Sequence, residues 1–136
     1  MDAGQSLVEE VGRAGGLEER GEIICLVVED EPAILRLVSL VLQDLGLDVV
    51  VASDAETALD MVYSRRPDIV LADVQLPGMD GIELARRLKL DPALARTPVL
   101  LMSAYGEPPD HQGDGFLPKP FNPEELTDFL RSYLAH

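Results

Sequence analysis

Short apolar runs alternate along the chain with segments that repeat apolar residues at helical spacing, and this alternation sets the fold class. Residues 23–28 are all apolar, and three acidic residues and Pro32 follow them directly. A run this short, apolar on both faces, is typical of a strand buried in a parallel sheet. The same reasoning predicts further strands over residues 47–52, 68–72, 98–102 and 115–117.

Helices are predicted between these strands. Residues 32–45 carry apolar side chains at helical spacing, with Pro32 suited to the first turn and Gly46 to the end of a helix. Similar patterns cover residues 54–66, 80–90 and 123–134. Alternating strands and helices fold into a parallel sheet covered on both faces, and ligands bind such sheets at the carboxyl ends of the strands.

The charge balance and the cysteine count exclude several classes of protein. The chain carries 25 acidic and 11 basic residues, for a formal net charge of −14. This balance argues against direct binding to nucleic acid and against attraction to an anionic membrane. Residues 1–22 do not read as a signal peptide and no apolar run reaches about 18 residues, so we expect a soluble, cytoplasmic protein. The single cysteine, Cys25, lies in an apolar run, which predicts a buried, inert thiol and no disulfide framework.

Polar side chains follow the predicted strands at the edge where ligands bind. Glu29 and Asp30 end the first strand, Asp73 the third and Ser103 the fourth, while Lys119 follows the fifth. Converging carboxylates repel one another unless a cation lies between them, and oxygen ligands without His or Cys suit Mg²⁺, or alternatively Mn²⁺. A lysine and a hydroxyl opposite the metal match the needs of a transferring phosphoryl group, with an Asp carboxylate as nucleophile. Taken singly, each residue is more often a helix cap or a solvated group (Asp30 could cap the helix at Pro32), so the joint pattern carries the argument.

Four segments of the chain resemble a known family. LVVEDEP, DIVLADVQLPGMDGIEL, VLLMSAYG and FLPKPF occur in this order between residues 26 and 121. They are similar to the signature segments of the response-regulator receiver family of two-component signalling. The resemblance implies a flavodoxin-like α/β fold, with a doubly wound, five-stranded parallel sheet of order 2-1-3-4-5. It also implies Mg²⁺-dependent transfer of a phosphoryl group from a phosphohistidine to this chain.

The resemblance assigns roles to the residues at the strand ends. It implies that Asp73 accepts the phosphoryl group and that Lys119 pairs with the phosphoryl oxygens, with a cis peptide bond before Pro120. The metal ligands would be Glu29, Asp30, Asp73 and the backbone carbonyl of Gln75.

Four further positions receive roles from the same resemblance. The backbone N–H groups of Val74 and Ala104 would help to hold the phosphoryl oxygens. Ser103 would be the switch hydroxyl that moves to the phosphoryl group, and Phe116 the aromatic switch. Phe116 stands where the family frequently has Tyr, so its two states would differ by packing alone.

The segment between the fourth and fifth strands departs from the family pattern. Residues 105–114 contain two prolines and almost nothing apolar. We therefore predict that the helix that relatives have here, their fourth, is short or absent, which puts signalling through that helix in doubt. We expect His111 in this segment to be solvated rather than a ligand. Tyr105 and Gln75 border the path of a hydrolytic water, and we hypothesise that they set the lifetime of the phosphoryl group.

The resemblance also bears on domain organisation and partners. We predict a flexible acidic leader over residues 1–22 and a receiver domain over residues 23–136. The chain would be either a stand-alone receiver or a piece of a larger sensor. A histidine kinase or a histidine phosphotransfer protein would donate the phosphoryl group, and an unknown protein target would read the result. Such a domain catalyses only its own phosphorylation and dephosphorylation, so it is not classed as an enzyme.

Three alternatives compete with this interpretation. An aspartyl-phosphate hydrolase needs a second carboxylate two residues after the nucleophile, where this chain has Gln75. A flavin-binding domain needs a phosphate loop rich in Ser, Thr and Gly after the first strand, where this chain has three acids and a proline. A receiver-like interaction module that works without phosphorylation is the strongest rival. The shortened segment 105–114 supports it, while the presence of every phosphorylation residue argues against it.

Overall fold

The computed structural model describes residues 23–134. Every predicted element is present, and the ends agree with the predicted ranges to within one residue. The strands are β1 (Ile24–Val28), β2 (Asp48–Ala52), β3 (Ile69–Asp73), β4 (Val99–Ser103) and β5 (Gly115–Pro118). The helices are α1 (Pro32–Asp44), α2 (Ala55–Arg65), α3 (Gly81–Leu90) and α4 (Pro123–Leu134). The predicted leader over residues 1–22 lies outside the described residues, so this division of the chain stays a prediction.

The strands form one sheet of order β2-β1-β3-β4-β5, the order that the family resemblance implies. All neighbouring pairs are parallel, so the carboxyl ends of the strands lie along one edge. Backbone hydrogen bonds continue past these ends. The Glu29 N–H donates to the Ala52 carbonyl (3.0 Å), and the Lys119 N–H donates to the Ser103 carbonyl (2.9 Å). The sheet itself therefore fixes the backbone of the polar residues that follow the strands.

Two aliphatic cores cover the two faces of the sheet. Helices α2 and α3 pack on one face, and helices α1 and α4 pack on the other. In β1, Leu26 and Val28 belong to the first core, while Cys25 and Val27 belong to the second, because side chains alternate along a strand. Strands β3 and β4 are buried at every position, which explains their unbroken apolar character. The Cys25 thiol is buried as predicted, and burial raises its pKa to about 12.

Side-chain caps fix the starts of three helices. Asp54 before α2, Asp80 before α3 and Asn122 before α4 each accept a hydrogen bond from the backbone N–H three residues later. Helix α1 differs, because the side chain of its N-cap, Glu31, makes no capping hydrogen bond. Asp30 is therefore not a cap and instead lines the cleft at the strand ends. Helix α1 is the longest in residues 23–134, and its 13 residues fall short of the roughly 20 that a membrane-spanning helix needs.

The connection between β4 and β5, residues 104–114, contains no helix, which confirms the prediction for this part of the chain. Hydrogen bonds of the His111 side chain nevertheless link residues within this connection. The Gly113 N–H donates to Nδ1 of His111 (3.1 Å), and Nε2 lies 2.8 Å from a carboxylate oxygen of Glu107. Only 9% of the His111 side chain is exposed, so the prediction of a solvated histidine is wrong. The ring lies 6.4 Å from that of Phe116, centroid to centroid.

Candidate functional site

Three carboxylates meet at the carboxyl edge of the sheet. Glu29 and Asp30 follow β1, and Asp73 is the last residue of β3. One oxygen atom from each lies within 4.8 Å of the others. Glu29 is fully buried and Asp73 nearly so, whereas Asp30 is exposed. A set of oxygen ligands that is open to solvent on one side fits a hard divalent cation such as Mg²⁺, which keeps part of its water shell.

Lys119 joins two of these carboxylates. Its Nζ atom lies 2.9 Å from Oε1 of Glu29 and 3.1 Å from Oδ2 of Asp73. Burial raises the pKa of Glu29, and the hydrogen bonds that it accepts from Lys119 and Glu31 offset this rise only in part. Burial by itself lowers the pKa of Lys119, but the two carboxylates outweigh burial and leave that pKa above its ordinary value. Lys119 is therefore held protonated beside the Asp73 carboxylate.

A cleft lies over this cluster, and its lining combines residues from four strand ends. Asp30 and Asp73 contribute to it together with Gln75, Ala104, Tyr105 and Lys119. The Tyr105 side chain is 83% exposed at its rim. Ser103, the last residue of β4, is buried, and its Oγ accepts a hydrogen bond from the Tyr105 N–H (3.0 Å). The predicted acceptor, lysine and cleft residues thus share one place in the fold.

The backbone N–H groups that follow Asp73 both have hydrogen-bond partners. The Val74 N–H donates to the Met102 carbonyl (2.8 Å) and extends the pairing of β3 with β4. The role of Val74 in holding the phosphoryl oxygens stays a prediction. The Gln75 N–H points to the acceptor instead and donates to Oδ1 of Asp73 (3.2 Å). Ala104 lines the cleft, as its predicted role requires.

The loop after β3 folds back onto the acceptor. The Gly81 N–H donates to the Val74 carbonyl (3.0 Å), and a Cβ on Gly81 would lie only 2.3 Å from the Asp73 carbonyl oxygen. Glycine is required at this position because the two backbone segments touch. A second contact of this loop was not predicted: Oε2 of Glu56 in α2 accepts a hydrogen bond from the Met79 N–H (3.1 Å). Local patterns do not reveal such a contact between distant parts of the chain.

The fifth strand carries the remaining predicted positions. Phe116 is half-buried, pairs with Leu101 of β4 and packs against the core formed with α2 and α3. The peptide bond between Lys119 and Pro120 is cis, as the resemblance implies. The switch roles of Ser103 and Phe116 stay predictions.

A parallel sheet of this order, with an acidic cluster and a lysine at its carboxyl edge, defines a receiver domain. The chain belongs to the response-regulator receiver family, since the family model for the response regulator receiver domain matches residues 25–131. The phosphate regulon transcriptional regulatory protein PhoB of Pseudomonas aeruginosa is 36% identical over 115 residues, which is 80% of this chain and 50% of PhoB. The DNA-binding response regulator MtrA of Mycolicibacterium smegmatis is also 36% identical over 115 residues, 80% of this chain and 49% of MtrA. The chain therefore spans about half the length of these curated relatives.

Solved receiver structures share the fold. The chemotaxis response regulator CheY4 of Vibrio cholerae has a TM-score of 0.76 and 32% identity, covering 82% of this chain and 98% of that one. The receiver domain of a Pseudomonas aeruginosa sensor histidine kinase has a TM-score of 0.76 and 26% identity, covering 86% of this chain and all (100%) of that one. The latter structure holds a magnesium ion in its active-site cleft.

Proposed function

We propose that Asp73 accepts a phosphoryl group from a phosphohistidine and that the phosphorylated domain signals through altered protein contacts. The observation that carries the proposal is the position of Lys119. Its Nζ atom lies 3.1 Å from the Asp73 carboxylate and 2.9 Å from that of Glu29, within a cluster of three acids. A fixed cation beside a nucleophilic carboxylate is what phosphoryl transfer needs, because its catalysis depends on positioning and on charge neutralisation.

In the proposed reaction, a carboxylate oxygen of Asp73 attacks the phosphorus atom of the phosphohistidine. The new P–O bond forms as the P–N bond breaks, and the bonding electron pair leaves with the donor imidazole. The product is an acyl phosphate on Asp73. Lys119 neutralises charge on the transferring oxygens, and the Gln75 N–H, the Ala104 N–H and the Ser103 hydroxyl are the candidate hydrogen-bond donors to them.

Mg²⁺ is the proposed cofactor, with Mn²⁺ as a second option. Glu29, Asp30, Asp73 and the Gln75 carbonyl would hold it, and all are oxygen donors at the same strand ends. When bound, the ion supplies positive charge opposite Lys119 and so lowers the repulsion between the acceptor carboxylate and the incoming phosphoryl group.

Signalling and lifetime are assigned to residues around the cleft. Phosphorylation adds about −1.5 to −2 charges at one point, and Ser103 and Phe116 are the proposed switch that responds to it. Gln75 and Tyr105, both at the cleft, are the proposed determinants of phosphoryl lifetime. Apart from its own phosphorylation and dephosphorylation, we propose no catalysis by the domain.

The proposed partners follow from the chemistry of the site. A histidine kinase or a histidine phosphotransfer protein in the cytoplasm would donate the phosphoryl group, and a protein would read the outcome. A net charge of −14 leaves this chain itself unsuited to contact DNA phosphates. A receiver-like module that works without phosphorylation is not favoured, because Asp73 and Lys119 are both present and in contact.

The first test of this proposal is metal-dependent phosphorylation by a small phosphodonor. The protein is incubated with acetyl phosphate and Mg²⁺, and its intact mass is measured. We expect the mass of one phosphoryl group to be added, and we expect EDTA to abolish the gain. An unmodified protein in the presence of Mg²⁺, or equal modification with EDTA, would contradict the proposal.

A further inference from the structure

The loop between β3 and α3 is closed at its base by hydrogen bonds. At its start, the Gln75 N–H donates to Oδ1 of Asp73 (3.2 Å). At its end, the Gly81 N–H donates to the Val74 carbonyl (3.0 Å), so the chain closes into a small ring. Between these points the backbone turns through Gly78, whose φ angle of +72° lies in the left-handed region.

The part of this loop farthest from Asp73 along the chain is hydrogen-bonded to helix α2. Glu56 lies in the first turn of α2, and its Oε2 accepts a hydrogen bond from the Met79 N–H (3.1 Å). The same oxygen lies 2.8 Å from the place where a Cβ of Gly78 would be. Gly78 and Met79 therefore both contact the Glu56 carboxylate. A side chain at position 78 would occupy the space that this carboxylate fills.

We propose that Glu56 is a positioning residue for the phosphoacceptor site. Its carboxylate holds the loop of residues 75–80 against α2, so that the backbone carbonyl and N–H of Gln75 keep their places beside Asp73. The inference rests on the proposed function, since it assigns the Gln75 carbonyl to the metal. Groups that orient metal ligands without touching the metal commonly change affinity about 10- to 100-fold when they are removed.

Two effects of Glu56 on metal binding must be separated. The first is the hydrogen bond to Met79, which fixes the loop. The second is the negative charge, which attracts any cation nearby. Glu56→Gln keeps an acceptor oxygen for the Met79 N–H and removes the charge, whereas Glu56→Ala removes both. Asp60→Asn is the matched control, because it removes a charge from an exposed position of the same helix.

The experiment measures Mg²⁺ affinity by titration calorimetry and amide hydrogen exchange at Met79 in metal-free protein. We expect Glu56→Ala to weaken Mg²⁺ binding roughly tenfold and to accelerate exchange at Met79. Glu56→Gln and Asp60→Asn should resemble the unchanged protein in both measurements. Phosphorylation by acetyl phosphate should need more Mg²⁺ in Glu56→Ala and reach the same maximal rate, because Asp73 and Lys119 are untouched.

Gly78→Ala disturbs the same contact from the loop and provides a second test of the inference. Its methyl group would displace the Glu56 carboxylate, so the losses of Mg²⁺ affinity in Gly78→Ala and Glu56→Ala should be less than additive in the double variant. Additive losses would overturn the inference. So would wild-type Mg²⁺ affinity in Glu56→Ala, or an equal loss in Glu56→Gln or Asp60→Asn. A failure of the unchanged protein to bind Mg²⁺ would instead contradict the proposed function.

Discussion

Among residues 23–134, Glu29 is the most deeply buried charged side chain. Its side chain is fully buried, and Lys119, with 10% of its own side chain exposed, is the cation in contact with it. A buried pair of this kind contributes little net stability, yet removing one partner leaves the other charge uncompensated. The same lysine also contacts Asp73, so the stability of the acidic edge and the chemistry of the acceptor depend on one ammonium group.

Replacing Lys119 with methionine should therefore destabilise the protein as well as impair phosphorylation. Because two buried carboxylates lose their cation, we expect a loss of about 3–5 kcal/mol in the free energy of unfolding at neutral pH without metal. Urea denaturation followed by circular dichroism measures this loss. Lys89→Met is the control, since Lys89 forms a short ion pair with the more exposed Asp114 (2.6 Å). We expect a smaller loss of unfolding free energy in Lys89→Met than in Lys119→Met.

The pH dependence of the same variant follows from the pKa of Glu29. Burial raises this pKa above the ordinary value of 4.5, so the folded state binds more protons than the unfolded state between the two values. The contribution of Glu29 to stability is thus most favourable in acid and declines as pH rises through that window. Lys119 lowers the pKa of Glu29, so its removal raises that pKa further. The loss of unfolding free energy in Lys119→Met should therefore become smaller as the pH falls. A deficit that stays constant or grows between neutral pH and pH near 5 would contradict this account.

The positions of the candidate site residues could be predicted because they follow from the strand ends. Asp30, Asp73 and Lys119 each lie within two residues of the end of an apolar run, and parallel strands bring such positions to one edge. The direction of a single N–H group could not be predicted in this way. Whether Val74 or Gln75 faces the acceptor depends on how far the pairing of β3 with β4 continues, which apolar patterning does not encode.

Among the elements, regular strands and helices were predictable and the connection 104–114 was only partly so. Two prolines and a lack of apolar residues correctly predicted that a helix there is short or absent. They could not predict the ordered arrangement that replaces it. Only 9% of the His111 side chain is exposed, because its two ring nitrogens have partners in Gly113 and Glu107 and its ring approaches Phe116. Composition alone identifies a polar loop, whereas these contacts depend on its folded path.

We predict that His111→Ala loosens this connection and leaves the sheet intact. Loss of the hydrogen bond to the Gly113 N–H, worth about 1 kcal/mol, should accelerate exchange of that amide by roughly a factor of five. Amides in β1 and β3 should exchange as before. Gln112→Ala, an exposed neighbour in the same connection, is the matched control. Unchanged exchange at Gly113, or faster exchange throughout the sheet, would show that His111 does not act as this local anchor.

For the molecule as a whole, the acidic edge is the feature through which a bound cation would change stability. The chain carries a net charge of −14 and places three carboxylates within 4.8 Å of one another. A cation that binds there stabilises the folded state by mass action, because the unfolded chain does not bring the ligands together. The cores were predictable from the apolar runs. The shared edge of the carboxylates was predictable from the strand ends, whereas the pairing of β1 with β3 that makes them neighbours was predicted only through the strand order implied by family resemblance.

We therefore expect Mg²⁺ to raise the melting temperature relative to EDTA. At a concentration one hundred times the dissociation constant, the gain in unfolding free energy should be about 2.7 kcal/mol. Thermal denaturation in both conditions measures it. Asp30→Asn should lose most of the gain, whereas Asp48→Asn, at the opposite end of the sheet, should retain it. Equal gains in the two variants would indicate nonspecific screening of the net charge instead of a site.

The role of Asp73 is tested by the intact mass of Asp73→Asn after incubation with acetyl phosphate and Mg²⁺. We expect this variant to gain no phosphoryl group under conditions in which the unchanged protein does. Asp80→Asn, which removes the capping carboxylate at the start of α3, should still be modified and serves as the control. A phosphoryl adduct on Asp73→Asn equal to that on the unchanged protein would contradict the account.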